Sequence, residues 1–203
     1  GYLQVDGYAG YEQTGATLVG CWAHARRKFK EAEQAAGKNK TGRATWALSH
    51  IQKLYRIEKA IKDKTVDVKY QVRQAQAKPL LEQYKQWLDK SVLQVPPKSA
   101  IGNAIGYSLR QWHKLCRYID DGQLSIDNNR AERAIKPFVI GRKNFLFSTT
   151  AKGAQASANL YSIIETAKAN GLIPFNYLMH LLTELPKKPD ALDSLMPWNV
   201  ELR

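Results

Sequence analysis

The sequence predicts a mostly α fold with a small β part (α+β), and three observations carry that expectation. Two strand-length apolar runs open the chain. Apolar residues then recur at helical spacing for about a hundred residues from Ala23. Further helical stretches, punctuated by Gly and Pro, fill most of the remainder.

Tyr2-Leu3-Gln4-Val5 has the aromatic and β-branched character of a strand and stops at the turn dipeptide Asp6-Gly7. Thr17 to Trp22 is the second strand-length run. Ala23 to Ala36, rich in Lys, Arg, Glu and Ala, predicts a helix closed by Gly37, and 37–42 reads as a polar link. Trp46 to Ile61 places Leu48, Ile51, Leu54, Tyr55 and Ile61 at near-helical spacing. Val68 to Leu88 predicts another helix, interrupted by Pro79, and Pro96-Pro97 is a firm break. The cleanest amphipathic stripe is Ile101, Ile105, Leu109, Trp112, Leu115, Cys116 and Ile119, expected on one helix from Ile101 to Ile119. Asp127 is expected to cap a short helix that Pro137 ends, with Phe138 to Phe147 extended or irregular around Gly141. Ala158 to Lys168 and Pro174 to Leu185 predict the last two helices, followed by a Pro-punctuated tail.

With 203 residues the chain is long enough for one sizeable core, alone or with a subdomain packed on it. Its composition, 44% hydrophobic and 24% charged with a mean hydropathy of −0.46, is that of a soluble globular protein and argues against disorder. The outlier is charge: 31 Lys and Arg against 18 Asp and Glu give +13, which calls for a polyanionic partner. Composition alone leaves nucleic acid and an anionic membrane both open. No apolar run approaches the roughly 18 residues of a membrane span, and the first residues lack the basic and apolar regions of a secretory signal. A cytoplasmic location is therefore expected. Two cysteines, Cys21 and Cys116, are too few for a disulfide framework or a four-thiolate zinc site and read as reduced thiols. A first residue that is Gly and runs at once into a strand fits either a piece of a longer protein or a processed terminus.

Acidic residues are scarce, so their placement is informative. Asp6 sits at a predicted strand end, where a carboxylate projects past a sheet edge without burial. Glu132 sits in a basic neighbourhood of Arg130, Arg133, Lys136, Arg142 and Lys143. On a regular helix Asn128 and Glu132 would share a face as i and i+4. Glu132 then has two readings: an ordinary ion pair with a neighbouring Arg, the commoner case for a single Glu, or a divalent-metal ligand ringed by phosphate-binding cations.

Four separated motifs lie in order along the chain: Gln4 to Tyr11 (QVDGYAGY), Gly20 to Phe29 (GCWAHARRKF), Ile126 to Pro137 (IDNNRAERAIKP) and Gly141 to Phe147 (GRKNFLF). Together they resemble the successive motifs of the insertion-sequence 66 transposases. Tyr161 to Lys168 and Leu195 to Asn199 are similar to that family's C-terminal region. The resemblance implies an RNase H-like nuclease core of the DDE type, here partial and carrying a large all-helical insertion. Asp6 matches the second acidic residue and Glu132 the third, so these two would be the catalytic, metal-holding residues. Their separation of 126 residues is explained by that insertion. The family's first Asp lies on an earlier strand that no residue here matches. The expectation is therefore a C-terminal portion of a transposase, inactive alone. Its expected divisions are a partial core over 1–36, a helical insertion over 37–97, the rest of the core with the Glu132 helix over 98–185, and a tail over 186–203.

The chemistry implied is metal-dependent strand cleavage, followed by attack of a DNA 3′-hydroxyl, with Mg²⁺ or Mn²⁺ in a two-metal site that is incomplete in this chain. Double-stranded DNA, both transposon ends and target, would be the partner. A multimer and accessory proteins are implied for the full complex, and a membrane is not. Expected DNA contacts are His24, Arg26, Arg27, Asn128, Arg130, Arg133, Lys136, Arg142 and Lys143. Cys21 and His24 form a C-x-x-H pair without a second pair, which speaks against structural zinc. His24 reads equally as a DNA contact and as a packed histidine. His50, His113 and His180 are expected at the surface or the core edge. The run Lys28, Lys30, Lys38, Lys40, Arg43, Lys53, Arg56, Lys59, Lys62 and Lys64 would offer a sequence-independent DNA-backbone surface. Trp46, Trp87 and Trp112 are expected in the core. The rival reading is a non-catalytic helical DNA-binding module whose acids only tune a basic surface.

Overall fold

In the computed structural model, which describes residues 1–37, 42–200 and 202, the two strands β1 (Tyr2–Val5) and β2 (Thr17–Gly20) pair in parallel, Tyr2 opposite Thr17 and Val5 opposite Gly20. Because the pairing is parallel, both carboxyl ends point the same way. Asp6 and Cys21, each one residue past its strand, therefore share an edge of the sheet. The connection between the strands contains the 3-10 turn Ala9–Gln13.

The chain is mostly helical and falls into two units, Gly1–Asn129 and Arg130–Arg203. In the first, α1 (Trp22–Ala35) packs on α2 (Arg43–Ala60) and on α5 (Ala100–Arg110). Its core is built on Val19, Trp22, Phe29, Ile51, Leu54, Tyr84, Leu88, Ile105, Leu115 and Tyr118. Lys38 and Lys40, with most of the expected polar link, lie outside the described residues.

Two helix expectations and the placement of His50 need correction here. The helix expected over Val68 to Leu88 is α3 (Val66–Val72), a π-type turn Arg73–Ala77, and α4 (Lys78–Val92). Pro79 is the second residue of α4, directly after the π-type turn. The single amphipathic helix expected over Ile101 to Ile119 is broken into α5, α6 (Trp112–Cys116) and a 3-10 turn Arg117–Ile119. Just past this break β2 comes against the backbone of α6: a Cβ on Gly20 would lie 3.0 Å from the Leu115 nitrogen, tighter than side chains normally pack, which favours Gly there. His50 is buried, not at the surface. Its Nε2 hydrogen-bonds the Leu80 carbonyl at 2.8 Å and its ring stacks on Trp46 and Tyr84. Trp87 and Trp112 pack against the core as expected, whereas Trp46 stacks on Trp87 but stays 40% exposed.

In the second unit, α7 (Asn129–Asn144) continues through Pro137 instead of ending there, and the expected irregular run is helical up to Asn144. A proline removes one i→i−4 bond, and the bonds on either side carry the helix on. Phe138 meets Tyr161 of α8 (Ala151–Ala169) edge to face at 5.6 Å. Thr150 caps α8, its Oγ1 accepting the Gly153 N–H at 3.0 Å. Pro174 opens α9 (Pro174–Glu184), whose buried Tyr177 donates its hydroxyl to the Leu195 carbonyl at 2.8 Å. Among the described residues no helix is long and apolar enough to cross a membrane.

Candidate active site

In the first unit, the sheet edge past β1 and β2 gathers three stretches far apart in sequence. The turn after β1 is held from two sides. Asp6 Oδ1 accepts the Tyr8 N–H at 3.0 Å, a local carboxylate-backbone turn. The Tyr107 hydroxyl of α5 donates to the Asp6 carbonyl at 2.9 Å. Gly7 adopts φ +96°, left-handed backbone that suits glycine. Farther along the same connection, Glu12 pairs with Lys114, whose side chain is only 5% exposed.

The segment 125–129 is pinned to the same edge. Gln4 Nε2 donates to the Ser125 carbonyl at 2.7 Å, and the Trp22 N–H donates to the Ile126 carbonyl at 3.1 Å. The Asn128 N–H reaches Cys21 Sγ at 3.5 Å. Asp127 is fully engaged: Oδ1 accepts the Asn129 N–H at 3.1 Å, and Oδ2 accepts both Asn129 Nδ2 at 2.8 Å and the Tyr55 hydroxyl at 2.9 Å. Beside it, a cavity of about 260 Å³ between α1 and α2 is lined by Ala23, Arg26, Gln52, Tyr55 and Asn129.

Ionisation follows from this crowding. Burial, more than any neighbour, raises the Cys21 thiol above its ordinary value, and the Asp127 charge adds to it. Cys21 is thus a neutral thiol that accepts a backbone hydrogen bond. Tyr107 is pushed up to about 12, first by burial and then by Cys21 and Asp6, with Arg27 opposing. Burial and the Asp127 carboxylate likewise push Tyr55 up.

Of the residues expected from sequence, this edge carries Asp6, His24, Arg26, Arg27 and Asn128. Asp6, His24 and Asn128 are half-buried, and Arg26 and Arg27 are exposed. The others, Arg130, Glu132, Arg133, Lys136, Arg142 and Lys143, all lie on α7 within the second unit. Glu132 is half-buried in the first turn, and the five cations are exposed. Glu132, Lys136 and Lys143, at i, i+4 and i+11, recur on one face of α7. The Arg142 guanidinium lies 5.3 Å from the centre of the Phe147 ring. Asn128 precedes the first residue of α7, so the helical face expected for Asn128 and Glu132 together is not formed.

The donors fit a divalent cation in kind but not in number. Asp6 offers the hard carboxylate oxygen that Mg²⁺ or Mn²⁺ takes, yet Asp127 is already engaged. Among the described residues no three His, Cys, Asp or Glu side chains are grouped to hold an ion.

Sequence reasoning missed Tyr55, Tyr107 and Lys114. Tyr107 is flanked by the apolar positions Ile105 and Leu109, and only the fold reveals that its hydroxyl reaches the first motif.

Compared with known families, residues 1–156 match the Transposase IS66 family, and residues 162–198 match the IS66 C-terminal element. The chain belongs to the IS66 transposase family. Three curated relatives come from Sinorhizobium fredii (strain NBRC 101917 / NGR234), each an uncharacterized protein. The protein y4qI is 34% identical over 98% of this chain and 39% of its own length. The corresponding figures are 32%, 98% and 41% for y4jD, and 30%, 98% and 39% for y4hP. The chain therefore spans about two fifths of the length of these relatives. No solved structure matches it. In this IS66 member the junction between the two family elements falls inside α8, not at the boundary between the structural units.

Proposed function

We propose that this chain is the C-terminal portion of a DDE transposase that cleaves DNA strands and joins a 3′-hydroxyl to target DNA. Asp6 and Glu132 serve as its second and third acidic residues, and the first is supplied from outside this chain. The observation that carries the reading is the convergence at the ends of two parallel strands. There β1 and the start of α1 are hydrogen-bonded to the segment leading into the Glu132 helix, and the turn bearing Asp6 is hydrogen-bonded to Tyr107 of α5. Ends of parallel strands are where α/β folds place their ligands, which favours an RNase H-like partial core over 1–36 and 98–185 with a helical insertion over 37–97.

Divalent ions, Mg²⁺ or Mn²⁺, would supply the Lewis acidity for the transfer. The chain's own residues bind and orient the DNA. Arg26 and Arg27, exposed one turn into α1, hold backbone phosphates beside Asp6. Arg130, Arg133, Lys136, Arg142 and Lys143 hold phosphates along α7, with His24 and Asn128 nearer the strand ends. Lys53, Arg56, Lys59, Lys62 and Lys64, all exposed, extend the basic surface for duplex DNA. In the cell the protein would be cytoplasmic and associated with the nucleoid through DNA, working as a multimer with any accessory proteins of its element.

The test uses the longer transposase that contains this chain, assayed for cleavage of transposon-end DNA in Mn²⁺. Asp6→Asn and Glu132→Gln are each expected to abolish cleavage and to leave duplex retention intact. Cleavage that survives either substitution overturns the assignment, and a helical DNA-binding module without catalysis then becomes the better account.

A further inference from the structure

Tyr107, Gln111 and Lys114 follow one another at i, i+4 and i+7 across the joint between α5 and α6. Two of them reach up to the connection that follows β1: the Tyr107 hydroxyl donates to the Asp6 carbonyl at 2.9 Å, and Lys114 pairs with Glu12. Gln111 lies under the same turn, its side-chain amide 3.5 Å from where a Gly7 Cβ would sit. The Tyr107 oxygen is closer still, 3.2 Å from that position, so a side chain at residue 7 would push against the hydroxyl. The turn thus rests on a helical support, and at Asp6 itself the support attaches through Tyr107. The carboxylate is then aimed from above, because Asp6 Oδ1 accepts the Tyr8 N–H at 3.0 Å. Fixing the carbonyl of a residue whose side chain closes onto the amide two residues on leaves its carboxylate little freedom to rotate.

We propose that Tyr107 is a positioning residue for Asp6. Its hydroxyl anchors the Asp6–Gly7 peptide and so sets the direction in which the Asp6 carboxylate faces the DNA. This rests on the reading of Asp6 as a catalytic acid. The support is of a second kind, separate from the basic residues: it touches no DNA and changes no charge.

Tyr107→Phe removes the hydroxyl and keeps the ring that packs against the core. The first measurement is amide hydrogen exchange on this chain. Losing one backbone-anchoring bond is expected to speed exchange of the Tyr8 N–H by about tenfold and to leave the Leu18 and Val19 strand amides unchanged. The second is single-turnover cleavage by the longer transposase, where Tyr107→Phe is expected to slow the chemical step about tenfold with DNA affinity unaltered. An unchanged Tyr8 exchange rate overturns the proposal. So does faster exchange with full cleavage activity while Asp6→Asn is inactive, since the anchor then has no bearing on the carboxylate. If Asp6→Asn itself cleaves, the Asp6 reading fails and this assignment with it. Comparing the two variants therefore shows which of the two ideas has failed.

Discussion

Arg73 grips Glu58 with two parallel hydrogen bonds, Nε to Oε1 at 2.9 Å and Nη2 to Oε2 at 2.7 Å, with the arginine side chain only 2% exposed. Its remaining donors go to backbone carbonyls: Nη1 to Tyr118 and Asp121, and Nη2 to Leu124, each at 2.8 Å. All five N–H groups of the guanidinium are therefore used, and the face of the group lies 5.3 Å from the centre of the Tyr118 ring. The residue sits at the start of the π-type turn and fixes the stretch that leads into the pinned segment 125–129. Removing one partner of a buried pair leaves the other charge uncompensated, at a cost of about 3–5 kcal/mol. Arg73→Met is expected to destabilise the first unit by that amount in urea unfolding. Arg73→Lys should fare little better, because an ammonium has three donors and cannot span five acceptors.

Trp22 is the largest fully buried side chain, and its Nε1 donates to the Leu115 carbonyl at 2.8 Å. Trp22→Phe keeps most of the apolar volume but leaves that carbonyl buried and unpaired, for an expected loss of about 1–3 kcal/mol. Trp22→Ala adds a cavity and is expected to cost about 3–5 kcal/mol. Chemical denaturation of the two variants beside the parent chain measures the difference.

His50 titrates below the 6.5 of an ordinary imidazole, chiefly through burial, with the Leu80 hydrogen bond opposing and Lys53 adding to the depression. The unfolded chain then binds a proton more readily than the folded one, so stability falls as pH drops through about 6.5 and is flat above it. His50→Gln is expected to shrink that acid-side loss. Unfolding midpoints compared across the window, for both proteins, provide the check.

DNA retention by this chain is expected to fall steeply with salt, because neutralising backbone phosphates releases counterions. Double charge reversal at Lys53 and Arg56, both exposed on α2, should flatten the salt slope without altering the fold. An affinity indifferent to salt would falsify the electrostatic reading.

If, as proposed, the first acidic residue comes from outside this chain, the chain by itself is expected to leave transposon-end DNA uncut in Mn²⁺. Gel analysis of end-labelled duplex shows whether this holds, and robust cutting would mean that Asp6 and Glu132 need no third acid.

Much of this protein was legible along the chain. The helical periodicity of Trp46 to Ile61 corresponds to α2, the Asp6-Gly7 turn closes β1, and Asp127 accepts the N–H of Asn129, the first residue of α7. Pro137 misled because a proline was weighed by its own lost bond and not by those of its neighbours, which hold α7 together to Asn144. The stripe from Ile101 to Ile119 keeps its helical spacing through a break at Gln111, which apolar spacing alone does not register. His50 looked peripheral because a lone polar residue on a helix carries no sign of what will pack over it.

By itself the sequence determined the mostly helical class, the basic surface and the family, because these depend on local periodicity, on charge and on short motifs that survive in order along the chain. Only the tertiary structure decided that the strands run parallel, that Tyr107 reaches Asp6 and that Arg73 is buried with every donor filled. These are pairings between residues from 15 to 101 positions apart. Their partners are chosen by the way helices stack over the sheet, and no local pattern records that choice.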